Sequence, residues 1–393
     1  MLDWLRKAFG PGPNPASPEE AATAPSSSTA AAFSAHQSGD WERAVTLLQP
    51  LATARPDDAE VLYRLGDALY QLNRTQDALP SLERAVRING NSAAYHYKLG
   101  NVLKDLERPD EALERYRRAL QLEPRHAEAL NNQGAILEMQ GRTEEALESY
   151  RQASLADGEL RQARSNRAML LHRLERFADA VEAYEALLRV DPGSAGDWCN
   201  LGNAYQGLER YDDALRCYER ALALDPVSAD ALYQSGIALL ILGRHAEAEA
   251  AARRAADIRP GLAKSWASLG DTLLAQNRPD DALGAYERGL GLDPNLPELL
   301  NNMGAAYKHK GLIETALRFF ERSVEASPQF ILARVNRASA RLSIGRVDEA
   351  IAEFRDILKI DPNNADAARL LLMALLYTPV SAGELFEEHL AYV

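Results

Sequence analysis

The chain has 393 residues, with 57 acidic against 44 basic side chains and a net charge of −13. No lysine or arginine cluster recurs along it, so duplex and single-stranded nucleic acid are excluded as expected partners, because phosphate neutralisation dominates such binding. Two cysteines, Cys199 and Cys217, come with no CxxC spacing and no histidine pairing, which favours a reduced intracellular protein and reads both as packing residues.

In chain order, residues 1–10 come first. Leu2, Leu5 and Phe9 fall at i, i+3 and i+7, a short amphipathic helix. Its apolar run is too short for a signal peptide, and no stretch of the chain reaches the roughly 18 apolar residues of a membrane span, so a cytoplasmic location is expected. Such a helix could touch a partner or a membrane surface, but alone it is marginal in water, and a loosely packed terminus is the expectation. Residues 11–31 are rich in Pro, Ala, Ser and Thr and read as a flexible linker.

From there a period takes over. Pro192, Pro226, Pro260, Pro294, Pro328 and Pro362 stand 34 residues apart, and Pro56 and Pro124 fall on the same grid. With position one set at Ala195 in the unit 195–228, a small residue recurs at position eight as Gly66, Gly100, Gly134, Ala168, Gly202, Gly236, Gly270, Gly304 and Ala338. Alanine holds position twenty in all ten units, from Ala44 to Ala350. Two helices of one unit must cross closely at these places, since larger side chains would push the backbones apart. Position twenty-four supplies the bulk that fills the gap, as Tyr116, Tyr150, Tyr184, Tyr218, Tyr286, Phe320 and Phe354. The proline at position thirty-two ends the second helix. Gly90 and Gly158 replace it in two units, where a left-handed cap is expected. The first unit, with only Ala32 and Phe33 in its first helix, reads as frayed or degenerate.

In the unit 195–228 the whole pattern stands as Trp198, Leu201, Gly202, Tyr205, Ala214, Tyr218, Ala221 and Pro226, and it resembles the tetratricopeptide repeat, whose period is about 34 residues. The resemblance covers residues 32–364 as about ten units, the first degenerate. It implies an all-α solenoid, a right-handed superhelix with the first helix of each unit lining a concave groove. No single unit can bury its apolar stripe alone, so neighbours must stack.

Positions two, six, nine and thirteen form the stripe opposite the packing positions and are left to face the groove. Position six carries Asn132, Asn166, Asn200, Asn302 and Asn336, with Gln234 and Ser268 between them. Asparagine is a poor helix former, so its repeated use needs a reason. A column of carboxamides offers paired donors and acceptors that match the backbone of an extended peptide. The alternative is inheritance by duplication, with the asparagines serving neighbouring helices. Side-chain selection would fall to Asp67, Asn101, Asn203 and Asp271 at position nine. The carboxylate clamp of chaperone-binding repeats is not assembled, because Tyr97, Gln162 and Asn166 occupy positions where it needs cations.

Residues 365–393 begin an eleventh first helix and a junction. The stripe there reads Leu370, Met373 and Tyr377 while Leu371, Leu372 and Leu375 face the stack, so a helix apolar on nearly all sides is expected to be covered by a following or associated domain. Ser381 and Glu384 stand in capping-box register for a last short helix. The asparagine column and this junction resemble the repeat half of O-GlcNAc transferase and SPINDLY-type bacterial glycosyltransferases. The resemblance implies a substrate-recruiting arm. No phosphate-binding loop, paired carboxylates or metal-spaced cluster appears within the chain, and His389 stands alone, so no catalytic residue, cofactor or metal is expected. A free-standing scaffold for cell-envelope or secretion assembly is the rival reading.

Overall fold

The computed structural model describes residues 27–379 and 383, and every regular element among them is an α-helix. The helices pack as two compact units, one up to Leu170 and one from Leu171. The first holds α1 (Ser27–Gln37), α2 (Trp41–Ala54), α3 (Ala59–Gln71), α4 (Thr75–Ile88), α5 (Ala93–Asp105), α6 (Pro109–Leu122), α7 (Ala127–Met139) and α8 (Thr143–Ala156), and the division falls inside α9 (Arg161–Arg173). The second holds α10 (Phe177–Val190), α11 (Ala195–Gly207), α12 (Tyr211–Leu224), α13 (Ala229–Ile241), α14 (His245–Ile258), α15 (Ala263–Ala275), α16 (Pro279–Leu292), α17 (Pro297–His309), α18 (Ile313–Ala326), α19 (Ile331–Ser343), α20 (Val347–Ile360) and α21 (Ala365–Leu375). No helix among the described residues is long and apolar enough to cross a membrane. The amphipathic start at 1–10 and the capping-box segment after residue 380 lie outside the described residues.

The close crossing within each unit is real. Every position-twenty alanine, from Ala44 to Ala350, is at 0% exposure. A Cβ on Gly100 would lie 2.6 Å from the Tyr116 ring, one on Gly134 2.8 Å from Tyr150, and one on Gly304 2.6 Å from Phe320. In these units the ring at position twenty-four therefore lies on bare backbone at position eight. The unit 229–262 departs: Ala252 replaces the ring, and a Cβ on Gly236 would meet only ordinary contacts at 3.7 Å.

The turn between the two helices obeys a rule that the proline grid does not reveal. Position fifteen has left-handed backbone in each of the ten units, as in Gly141 (φ 74°), Gly243 (φ 73°) and Gly311 (φ 77°). The next N–H then reaches back five residues, as Arg74 N to Leu69 O at 2.9 Å and Arg244 N to Leu239 O at 2.9 Å, the Schellman closure of a helix C-terminus. Glu107, Glu175 and Glu209 occupy this place with φ of 58°, 56° and 58°. Gly90 and Gly158, by contrast, are not left-handed as expected. They stand in the same turn that other units build with proline, whose ring demands a negative φ. The preceding residues, Asn89 and Asp157, end the helices in extended backbone instead.

Several first helices start on side-chain caps. Asp58, Ser92, Ser194, Ser228 and Asn364 each accept from the backbone N–H three residues on. The helix α1 begins at Ser27, so the last residues of the segment read as linker are helical, and Thr29, Ala32 and Ala35 are buried. Small residues that look like linker composition serve there as a packing face.

Gly100 and Gly236 make a matched test. Gly100→Ala should destabilise by about 1–3 kcal/mol, because the buried Tyr116 ring cannot withdraw. Gly236→Ala should stabilise by about 0.5–1 kcal/mol, as alanine does in an uncrowded helix. Urea unfolding of both variants checks this, and equal shifts would refute the packing rule.

Candidate functional site: the polar column of the first helices

Several side chains of the expected stripe bond to one another across successive first helices. In the first compact unit, Lys98 Nζ lies 2.8 Å from Asp67 Oδ1, Asn132 Nδ2 donates to Asn101 Oδ1 at 2.9 Å, and Asn166 Nδ2 donates to Asn131 Oδ1 at 3.0 Å. In the second, Asn302 Nδ2 donates to Asp271 Oδ1 and Asn336 Nδ2 to Asn301 Oδ1, both at 2.8 Å. Position six thus reaches back to the preceding helix. Asn132 and Asn302 take a polar position nine, and Asn166 and Asn336 take position five, where position nine is alanine. Asn131 and Asn301 also donate sideways to Asn132 and Asn302, at 3.3 and 3.2 Å.

Position nine is anchored from below. Tyr116 Oη donates to Asn101 Oδ1 at 2.8 Å, Tyr218 Oη to Asn203 Oδ1 at 2.9 Å, and Tyr286 Oη to Asp271 Oδ1 at 2.6 Å. Sequence reading treated these tyrosines as bulk alone and passed over position five. The available signals were the tyrosine hydroxyl fifteen residues beyond Asn101, Asn203 and Asp271 and the doublets Asn131-Asn132 and Asn301-Asn302.

The column is neither sealed nor fully exposed. Asn132, Asn166, Asn200, Gln234, Asn203, Asp271, Asn302 and Asn336 are half-buried, while Asp67, Asn101 and Ser268 are buried. A carboxamide has two donors and two acceptor lone pairs. The bonds just described use one donor of each of the half-buried Asn132, Asn166, Asn302 and Asn336 and leave these amides further donor and acceptor capacity. Large apolar side chains stand exposed on the same stripe, among them Met139, Met169, Ile241 and Leu332. At the end of the described chain, Leu370 packs partly into the cluster around Val335 and Leu371, so of the expected docking residues only Met373 and Tyr377 are well exposed.

The two aspartates at position nine differ sharply. Burial opposes ionisation of Asp67, but hydrogen bonds from His36 and Lys98 overcome it and hold the carboxyl down at about 2. Asp271 is pushed up to about 6, because burial outweighs the hydroxyl and amide that bond it. It borders a cleft of about 300 Å³ with Leu274, Ala275, Tyr286, Asn302 and Ala305. A carboxyl raised in the folded state costs stability above its unfolded value and costs nothing once both states are protonated. Asp271→Asn should therefore raise stability at pH 7 by up to about 3 kcal/mol and leave it unchanged below about pH 3.5. Urea unfolding at both pH values measures this, and the same gain at both would contradict it.

The cysteines are packing residues: Cys199 and Cys217 are buried, and burial pushes their thiols up to about 11 and about 12.

A charged core cluster went unnoticed in the sequence. In the unit 331–364, Arg334, Arg337 and Arg341 hold packing positions four, seven and eleven, which in most units are apolar. They converge on buried Glu353, with Arg337 Nη2 at 2.5 Å, Arg341 Nη1 at 2.9 Å and Arg334 Nε at 3.8 Å. The i, i+3, i+7 spacing of the arginines was the signal. Glu353→Ala should cost about 3–5 kcal/mol, whereas replacing all four residues by leucine and alanine should be neutral or stabilising. Hydrogen exchange across α19 and α20 tests both variants, and a harmless Glu353→Ala would contradict the reading.

Comparison with known proteins agrees on the repeat. Residues 123–373 match the family model described as the cilia and flagella-associated protein 70 C-terminal domain, and residues 35–102 and 91–154 match tetratricopeptide repeat models. No curated protein matches the chain. Among solved structures, a tetratricopeptide repeat protein from Parabacteroides merdae is 20% identical with a TM-score of 0.52, over 63% of this chain and 98% of that one. A thermophilic repeat protein of Thermus thermophilus is 24% identical with a TM-score of 0.43, over 47% of this chain and 100% of that one.

Proposed function

We propose that this chain, which belongs to the tetratricopeptide repeat proteins and within them to the domain family described as the cilia and flagella-associated protein 70 C-terminal domain, holds an extended segment of a partner protein against its first helices. Repeats of this kind indicate a protein–protein interaction scaffold. The finer reading, peptide capture on the polar column, is carried by one observation. The half-buried amides keep hydrogen-bonding capacity beyond their bonds to one another, beside exposed methionine, isoleucine and leucine side chains.

The chemistry suits a peptide main chain. Each residue of an extended segment presents one N–H and one C=O, and a carboxamide can answer both. The apolar residues beside the column would receive side chains of the partner. Inter-helix bonding gives the asparagines a second reason to exist, so the column alone does not assign the chain to a sugar-transferring protein. The proposal is accordingly for capture of protein segments.

The test replaces Asn132, Asn166, Asn200, Asn302 and Asn336 together by alanine. Each asparagine contributes about 0.5–1.5 kcal/mol at most to a bound backbone, so single changes should be nearly silent. The five-fold variant should lose binding to many unrelated peptides by a similar factor on a peptide array, with hydrogen exchange confirming that the first helices persist. An unchanged array profile on an intact fold would leave the column with its bonding role alone.

A further inference from the structure

Two repeats build the same site with different chemistry. Asn101 Oδ1 accepts the Tyr116 hydroxyl at 2.8 Å and the Asn132 amide at 2.9 Å. Asp271 Oδ1 accepts the corresponding hydroxyl of Tyr286 at 2.6 Å and amide of Asn302 at 2.8 Å. An amide therefore suffices for this architecture, and the charge at Asp271 adds nothing to it that Asn101 lacks. A charge retained in a desolvated place without structural need is a mark of a functional site.

Among the described residues the charge also has no counter-ion. Asp67, the other aspartate at this position, is neutralised by Lys98 Nζ at 2.8 Å and has His36 Nε2 at 2.9 Å. At Asp271 the residue equivalent to Lys98 is the neutral Asn302. The groups acting on Asp271 are the Tyr286 hydroxyl on α16 and the Asn302 amide on α17, and the Asp271 charge is in turn felt by Tyr233 on α13, together with Glu298 of α17. None of these is a cation. Both hydrogen bonds fall on Oδ1, so Oδ2 remains without a hydrogen-bond partner among the described residues. The cleft it borders, about 300 Å³, has Leu274, Ala275 and Ala305 as apolar walls.

A carboxylate oxygen beside apolar walls matches a side chain with a hydrocarbon stem and a cationic head. We propose that Asp271 is a specificity-determining residue that receives a lysine or arginine side chain of the bound partner segment. This rests on the reading of the first helices as a peptide surface. The missing cation is supplied in trans, where Lys98 supplies it in cis for Asp67.

The experiment uses the full chain and eight-residue alanine-serine peptides that carry arginine, lysine, citrulline or glutamate at one central position. The wild type should retain the arginine and lysine peptides more tightly than the citrulline peptide, by on the order of ten-fold for a charge-assisted bond. Asp271→Asn should abolish that preference, bringing the arginine and lysine peptides to the level of the citrulline peptide. Asn101 shows that the variant can fold. Peptide binding with no preference for the cation, or a preference that survives Asp271→Asn, would overturn the proposal. If no peptide binds, the peptide-surface reading fails, and the pocket is then judged by itself. With N-acetylarginine methylamide added, the carbon-13 titration midpoint of the Asp271 carboxyl should fall, because a cation stabilises the ionised form. An unmoved midpoint would overturn the assignment.

Discussion

The close crossing of the two helices in each unit governs everything above it. Position twenty must be alanine and position eight glycine or alanine for the backbones to meet, and the ring at position twenty-four then lies flat on the gap. In three units that ring is a tyrosine whose hydroxyl emerges under position nine, at Asn101, Asn203 and Asp271. The polar column thus inherits its place from core packing. A buried hydroxyl needs an acceptor, and an acceptor at position nine satisfies it.

Position six extends the same logic from one unit to the next. Apolar stacking between neighbouring pairs is non-directional and would tolerate some sliding. The bonds from Asn132 to Asn101 and from Asn302 to Asp271 have defined geometry and pin each first helix to its predecessor. Each contributes little net stability in water-accessible surroundings. On the proposed reading of this surface, they hold the side chains that meet a partner in fixed positions before it arrives, so that binding does not bear the full cost of ordering them.

The repeat period, the close crossing and the stripe of asparagines were legible in the sequence, because each leaves a residue type at a fixed position. The left-handed residue at position fifteen was less legible: glycine marks it at Gly141 or Gly311, but Glu107, Glu175 and Glu209 adopt it without any special residue, since the closure of the preceding helix imposes the backbone. Gly90 and Gly158 misled for the converse reason: the turn around them is built for proline's φ, and glycine simply follows it. The partners of the asparagines were illegible because they lie in the preceding unit, at position nine or position five according to which residue is polar. The arginines around Glu353 were missed because a stripe read for apolar residues conceals a charged one with the same spacing.

The departures from the repeat carry the information that the repeat itself cannot. Where a unit keeps the common pattern, stability alone accounts for its residues, and Asn101 is an adequate solution at position nine. Asp271 keeps the same two hydrogen bonds and adds a charge that burial penalises. Glu353 replaces what is a small residue in several other units and then requires three arginines to be tolerated. The two cases resolve differently. Glu353 is neutralised within the fold, so its cluster can be understood as internal structure. Asp271 has no such partner among the described residues, and an uncompensated, half-buried charge on an accessible stripe makes physical sense when something outside the chain completes it.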